Sequence, residues 1–106
     1  MAKFLIKASY TAEGTKGLLK DGGSKRKETV EKLLAAHGGK LETFYFAFGE
    51  VDVFAIIDLP DTVTAAAIAL AINASGMVSN SMTALLTPAE VDMAAKKTIN
   101  YTPPGR

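Results

Sequence analysis

The sequence contains no cysteine and only one histidine, His37. Without cysteine the chain cannot form a disulfide, a thiolate nucleophile, an iron–sulfur cluster or a Cys-ligated zinc site. A single histidine also cannot build a metal site that needs several imidazoles. The sequence therefore excludes thiol chemistry, and we expect neither a metal centre nor a cofactor.

The chain also lacks an excess of either charge. Twelve Lys and Arg residues stand against eleven Asp and Glu, which leaves a formal net charge of +1. So small a charge gives no strong field for a phosphate backbone or an anionic membrane, and we expect neither nucleic acid nor a membrane as a partner. The apolar run Phe4 to Ile6 is too short for the core of a signal peptide, which predicts a cytoplasmic protein. A length of 106 residues predicts one domain over 1–106.

Apolar residues alternate with period two in four segments and recur at helical spacing in two. The predicted strands are 2–9, 41–48, 51–59 and 78–86, with Gly49-Glu50 as a tight connection between the second and third. The first long helix is expected to begin with Ser24 as N-cap and to stop at Gly38-Gly39; the second runs from Pro60-Asp61 to Gly76. This order predicts an α+β fold of the ferredoxin-like βαββαβ type.

The remaining segments are short. Four glycines between residues 11 and 23 predict a structured loop with at most one helical turn. The spacing of Thr87, Pro88 and Glu90 matches a capping box with proline at the first helical position, which predicts a short last helix to about residue 97. An extended tail is expected over residues 98–106.

The central hairpin is apolar on both faces. Period-two alternation places Phe44, Phe46 and Phe48 on one face of the second strand, and the other face is assigned to Leu41, Thr43, Tyr45 and Ala47. Two helices cover only one face of a four-stranded antiparallel sheet, and a water-facing sheet normally alternates apolar with polar residues. The sequence therefore predicts a homodimer or higher homo-oligomer, with a second copy covering the open face. The alternative is that the C-terminal helix folds back over this face.

The sequence resembles the GYD family of small proteins. The resemblance rests on Gly22-Gly23-Ser24-Lys25-Arg26, Gly38 to Phe46, Gly49-Glu50-Val51-Asp52, Pro60-Asp61 and Leu85 to Glu90. The chain departs from the signature that names the family, because Val51 stands where tyrosine is usual. The resemblance implies a ferredoxin-like fold of the dimeric α+β barrel type, with helices on one face of a four-stranded antiparallel sheet, and it implies no particular activity.

Five residues are candidates for a ligand site. Asp52 follows the hairpin glycine and would act as a general acid or base, or else close the turn by bonding to backbone amides. Tyr45 would offer a hydroxyl in an apolar space between sheets, or serve as an interface aromatic. Ser24 and Arg26 lie at a helix N-terminus that favours phosphate or carboxylate, although solvated cations are the simpler explanation. His37 near the helix C-terminus would stabilise the helix or bind a ligand.

Three functions remain open at this point. The first is a homo-oligomeric module that binds a small apolar or weakly acidic molecule in a cavity between sheets. The second is a cofactor-independent enzyme of the isomerase or monooxygenase type, with Asp52 moving a proton. The third is an assembly or interaction module whose interior is filled by its own side chains. No motif in the sequence decides among them.

Overall fold

The computed structural model describes all 106 residues and is built around one four-stranded antiparallel sheet. The strands follow the order β2-β3-β1-β4 across the sheet, which confirms the ferredoxin-like α+β fold. The elements in chain order are β1 (Ala2–Tyr10), α1 (Ala12–Asp21), α2 (Gly23–Ala36), β2 (Lys40–Phe46), β3 (Val53–Leu59), α3 (Thr62–Ala74), β4 (Val78–Leu85) and α4 (Pro88–Ala95).

The hydrophobic core lies between one face of the sheet and helices α2 and α3. Alternate residues of the two central strands point into it, and Leu34, Ile57 and Leu59 are its largest fully buried side chains. The buried apolar set is Phe4, Ile6, Ala8, Leu34, Val53, Ala55, Ile57, Leu59, Ala65, Ile68 and Val78. Only 12 of the 106 residues are buried, so much of the apolar sequence is left outside this core.

The segment expected to be a loop is instead the ten-residue helix α1, and this prediction was wrong. Its N-cap, Thr11, accepts a hydrogen bond from the Gly14 N–H through its hydroxyl. The backbone N–H of Thr11 and its hydroxyl both donate to the carbonyl oxygen of Met77, at 3.0 and 3.2 Å. Tertiary bonds at the first turn thus offset the low helix propensity of Gly14 and Gly17.

The helix ends agree with the sequence in most places. Gly38 and Gly76 adopt positive φ angles of 76° and 73°, as expected of glycines that stop helices. Asp61 caps α3, and Thr87 and Glu90 form the predicted capping box of α4. Ser24 was wrongly predicted as an N-cap, because Gly22, with φ 87°, is the N-cap and α2 starts two residues earlier than predicted, at Gly23.

The central hairpin has a longer connection than predicted. Residues 47–52 link β2 to β3, and the Ala47 N–H donates to the carbonyl oxygen of Asp52 at 2.7 Å, so Gly49-Glu50 is not a tight turn by itself. Phe48 lies outside the strand and is fully exposed. The register of β2 against β3 shifts between Leu41 and Thr43, and this bulge turns Leu41 towards the core rather than the open face.

The C-terminal segment extends away from the sheet. Every residue of α4 and of the tail is exposed, so the alternative in which the last helix covers the open face is contradicted. The Cα radius of gyration is 16.9 Å, whereas a compact chain of this size has about 13 Å. None of the helices combines the length and the apolar character needed to cross a membrane.

Candidate functional site

A cleft separates α2 from α3. Helix α2 packs mainly on β2 and α3 mainly on β4, at opposite edges of the sheet, and an open volume of about 640 Å³ lies between the two helices. Two rows of α3 residues at i, i+4 spacing form one wall, since such rows share a helix face. The lining residues are Arg26, Leu33, His37, Val63, Thr64, Ala67, Ile68, Ala71, Ile72, Ser75, Met77 and Val78.

A second, smaller cavity adjoins the cleft and contains Asn80. Its volume is about 50 Å³, it lies between the helices and the core face of the sheet, and it shares Arg26, Leu33, Ile68, Ile72 and Val78 with the cleft. The Asn80 side-chain amide donates to the Ala69 carbonyl at 3.2 Å and to Asn73 Oδ1 at 3.0 Å. Its own Oδ1 is buried and receives no hydrogen bond. The small cavity therefore carries an unpaired acceptor, and buried polar atoms of this kind usually have a partner.

Arg26 supplies the positive charge of the cleft. Its side chain is partly buried, and none of the three ion pairs in the structure includes it. The half-buried Tyr10 hydroxyl lies close enough to feel this charge. Burial raises the pKa of Tyr10, and the neighbouring guanidinium of Arg26 partly opposes that rise. Sequence reasoning missed this contact, because no pattern in the sequence pairs Tyr10 with Arg26.

His37 and Ser24, the other two candidates on α2, differ in whether they line the cleft. His37 is the C-cap of α2 and lines the opposite end of the cleft, about 16 Å from Arg26 along the helix axis. Ser24 is exposed in the first turn of α2 and does not line the cleft. The structure therefore brings Arg26 and His37 to one cleft and leaves Ser24 outside it.

Asp52 lies at the end of the sheet that α1 covers. Its Oδ2 accepts a hydrogen bond from the Tyr10 backbone N–H at 2.8 Å. It lines a separate hollow of about 470 Å³ with Leu18, Phe46 and Phe48. The backbone contact matches the turn-closing interpretation of Asp52, since a carboxylate bonded to an amide organises the chain locally.

Tyr45 belongs to the open face of the sheet. It is 69 % exposed and pairs across the strands with Phe54, which is 41 % exposed. Ile56 continues this apolar band and has Thr43 and Leu5 as its neighbours on β2 and β1. The open face therefore carries an apolar band of Tyr45, Phe54, Ile56 and Leu5, with the exposed Lys7 opposite Phe54. The full thickness of the sheet separates this face from Arg26 and His37.

An ion cluster closes one end of the open face. Lys3 Nζ lies 2.5 Å from Glu42 Oε1 and 3.0 Å from Asp58 Oδ1. The hydrogen bond to Glu42, followed by the one to Asp58, raises the pKa of Lys3. Sequence reasoning missed this cluster because the register shift that turns Glu42 towards Lys3 has no local signal. The structure contains no group of three or more His, Cys, Asp or Glu side chains placed to hold a metal ion.

The fold and these surfaces define a small α+β protein of the ferredoxin-like class with one open sheet face. The family model of the GYD domain matches residues 4–95, and the chain belongs to this family. Among solved structures, the chain is similar to the crystal structure of MtbAldR, with 17% sequence identity and a TM-score of 0.59. That match covers 81% of this chain and 52% of MtbAldR, so the chain spans about half of that protein, and the likeness concerns the fold alone. No curated protein matches the sequence.

Proposed function

We propose that this protein is a homo-oligomer whose copies meet through their open sheet faces and bind a small apolar or weakly acidic molecule between them. The observation that carries the proposal is the apolar band on the open face, in which Tyr45 and Phe54 are exposed and Ile56 and Leu5 are partly buried. Large contiguous apolar patches on a soluble protein mark interaction or ligand sites. A second copy of the same sheet is the simplest surface that matches this band.

The size of the sheet indicates what else the interface needs. Four strands spaced about 4.8 Å apart and about eight residues long present a face of roughly 19 by 26 Å. This projected area of roughly 500 Å² falls short of the roughly 800 Å² per partner that a standard interface buries. The side chains roughen the face and add some area, yet a second contact region would complete the interface.

The C-terminal arm, residues 86–106, is suited to supply that region. It exposes several large apolar side chains, namely Leu86, Val91, Met93, Ile99 and Tyr101. Its helix is nevertheless firmly built, because the Thr87 hydroxyl accepts from the Glu90 N–H and the Glu90 carboxylate accepts from the Thr87 N–H. A well-capped helix with unburied apolar residues fits an arm that packs on a neighbouring copy.

Tyr45 would provide the polar contact for a ligand between the sheets. Its phenol can donate or accept one hydrogen bond beside an otherwise apolar band. Hydroxyls from Ser79, Ser81 and Thr83 line the open face of β4, so one flank of the enclosed space would be polar. An apolar body with one weakly acidic or hydroxyl group matches this distribution.

The enzyme hypothesis has less support than the binding hypothesis. Asp52 would have to move a proton, but its carboxylate is engaged by the Tyr10 backbone N–H. It also lies beside α1 and away from Tyr45, so the two candidate groups do not share one cavity. The assembly hypothesis differs from the binding hypothesis in one respect. In the assembly hypothesis the protein's own side chains fill the space between the sheets, whereas in the binding hypothesis that space is a cavity that holds a ligand.

Sedimentation velocity on two matched variants tests the proposed assembly. Phe54→Asp places a charge in the apolar band, and we expect it to shift the protein towards monomer because burying an unpaired carboxylate is costly. Leu19→Asp is the control, since Leu19 is 81 % exposed on α1, away from the open face. Equal sedimentation of the two variants, with folding checked by circular dichroism, would contradict the proposal.

Native mass spectrometry tests the ligand. Oligomers of the 11.2 kDa chain that carry additional mass would support binding between the sheets. Tyr45→Phe, which keeps the apolar body and loses the hydroxyl, is expected to retain the oligomer and lose the additional mass. Retention of that mass by Tyr45→Phe at the wild-type level would argue against a role for the hydroxyl.

A further inference from the structure

We propose a second binding site on the opposite side of the sheet: the cleft between α2 and α3 binds an apolar carboxylic acid whose carboxylate pairs with Arg26. This site is complete within one chain and does not rest on the proposed assembly. Its three elements are a cation that forms no ion pair, apolar walls, and a buried acceptor in the small cavity that adjoins the cleft.

The charge of the cleft is the first element. Arg26 is partly buried and forms no ion pair, and no Asp or Glu lines the cleft. Its neighbours Lys25 and Lys27 are exposed and do not line the cleft, so Arg26 is the cation of this run that a ligand would meet. The first turn of α2 contains no acidic residue, and its unsatisfied N–H groups add positive potential. A guanidinium in this setting is a strong partner for a carboxylate, which it binds in a bidentate manner.

The shape of the cleft is the second element. A volume of about 640 Å³ lies within the range of small-molecule pockets, which runs from about 300 to 1,000 Å³. The wall on α3 includes the small, exposed residues Ala67 and Ala71, which leave room beside the larger Ile68 and Ile72. This apolar channel extends from Arg26 towards His37, so an extended hydrocarbon chain would lie along it.

The small cavity beside the cleft is the third element. Asn80 Oδ1 is buried without a donor, while the amide nitrogen of the same side chain is already bonded to Ala69 and Asn73. These bonds fix the orientation of the amide and keep Oδ1 available. A hydroxyl or N–H on the ligand would satisfy this acceptor, so the site favours an acid that also carries a hydrogen-bond donor.

Calorimetric titration with decanoate tests the charge. We expect decanoate to bind the full-length protein, and decylamine, which has the same length and the opposite charge, to bind at least about tenfold more weakly. Arg26→Gln should weaken decanoate binding by about tenfold to a hundredfold, the usual effect of losing a charge-assisted hydrogen bond. Lys25→Gln is the matched control, since it removes one charge from the same helix turn outside the cleft. Absence of decanoate binding at millimolar concentration, or equal losses in the two variants, would overturn the proposal.

A second pair of variants tests whether decanoate binds in the cleft. Ala67→Phe fills the cleft from an exposed position on α3 and should abolish decanoate binding. Ala66→Phe adds the same ring to an exposed position that does not line the cleft and should leave binding unchanged. Equal binding by both variants would refute the site. Sedimentation of the Ala67→Phe protein tests whether the cleft is instead occupied by the C-terminal arm of another copy. A changed oligomeric state would show such occupation and would also overturn the proposal.

Discussion

Gly14→Ala tests the packing of α1 against the turn that precedes β4. A Cβ at position 14 would lie 2.0 Å from the Met77 carbonyl oxygen, so the first turn of α1 has to move by more than about 1 Å. That movement breaks the two hydrogen bonds that Thr11 donates to the same oxygen. Each bond contributes about 1 kcal/mol. The better helix propensity of alanine returns up to about 1 kcal/mol. The net expectation is a loss of about 1 kcal/mol in the free energy of unfolding.

Gly17→Ala provides the matched control on the same helix. A Cβ at position 17 meets nothing within 4 Å, so only the propensity gain of about 0.5–1 kcal/mol applies. Urea unfolding followed by circular dichroism, at one protein concentration for all variants, should therefore give opposite signs for the two substitutions. Stabilisation by both alanines would refute the close approach of Gly14 to Met77.

Three further predictions concern single polar groups. Asp52→Ala should lower the free energy of unfolding by about 1–2 kcal/mol in urea titrations, because the Tyr10 N–H loses its acceptor. Asp52→Asn should recover part of the lost stability. An unchanged stability in Asp52→Ala would contradict the structural role and reopen a purely catalytic one. The Thr64 N–H lowers the pKa of Asp61, so its capping contribution is present above the unfolded pKa and is lost as pH falls through the lower folded pKa. An Asp61→Ala protein should show a weaker decline in thermal stability over that acidic interval. Arg26→Gln should raise the pKa of Tyr10 further, because the guanidinium that opposes the rise is removed. NMR titration of the tyrosine ring carbons measures this pKa, and a lowered value would contradict the proximity of Arg26 to Tyr10.

The strands and most helix ends were predictable from local signals. Alternation of apolar residues over residues 2–9 predicted β1, and the structure shows that Phe4, Ile6 and Ala8 form its core face. Cap residues such as Asp61 and Thr87 identified the starts of α3 and α4, because their side chains satisfy backbone N–H groups of their own first turn. Signals of this kind act over three or four residues, so sequence alone is sufficient to read them.

The candidate site depended on contacts between distant segments. The helix α1 forms because Thr11 bonds to Met77, which lies across the fold, and its glycines alone argue against a helix. The bulge after Leu41 reverses the faces of the residues before it, and alternation carries no trace of that slip. The cleft exists because α2 and α3 pack on opposite edge strands, β2 and β4, and the sequence does not show how far apart two helices will lie. The sequence therefore identified Arg26 and His37 as candidate site residues, but it predicted neither the role of Asn80 nor the space between the helices.

A distance between spin labels on two copies tests the central claim, that the open faces meet, most directly. The chain contains no cysteine, so Lys7→Cys introduces a single label site on the open face of β1, and Glu31→Cys does so on the exposed side of α2. Facing sheets pack about 10 Å apart, which predicts a distance below about 25 Å between Lys7 labels. The helix layers should separate Glu31 labels by more than about 35 Å. Absence of a dipolar signal at both positions, or a shorter distance at Glu31 than at Lys7, would contradict the claim.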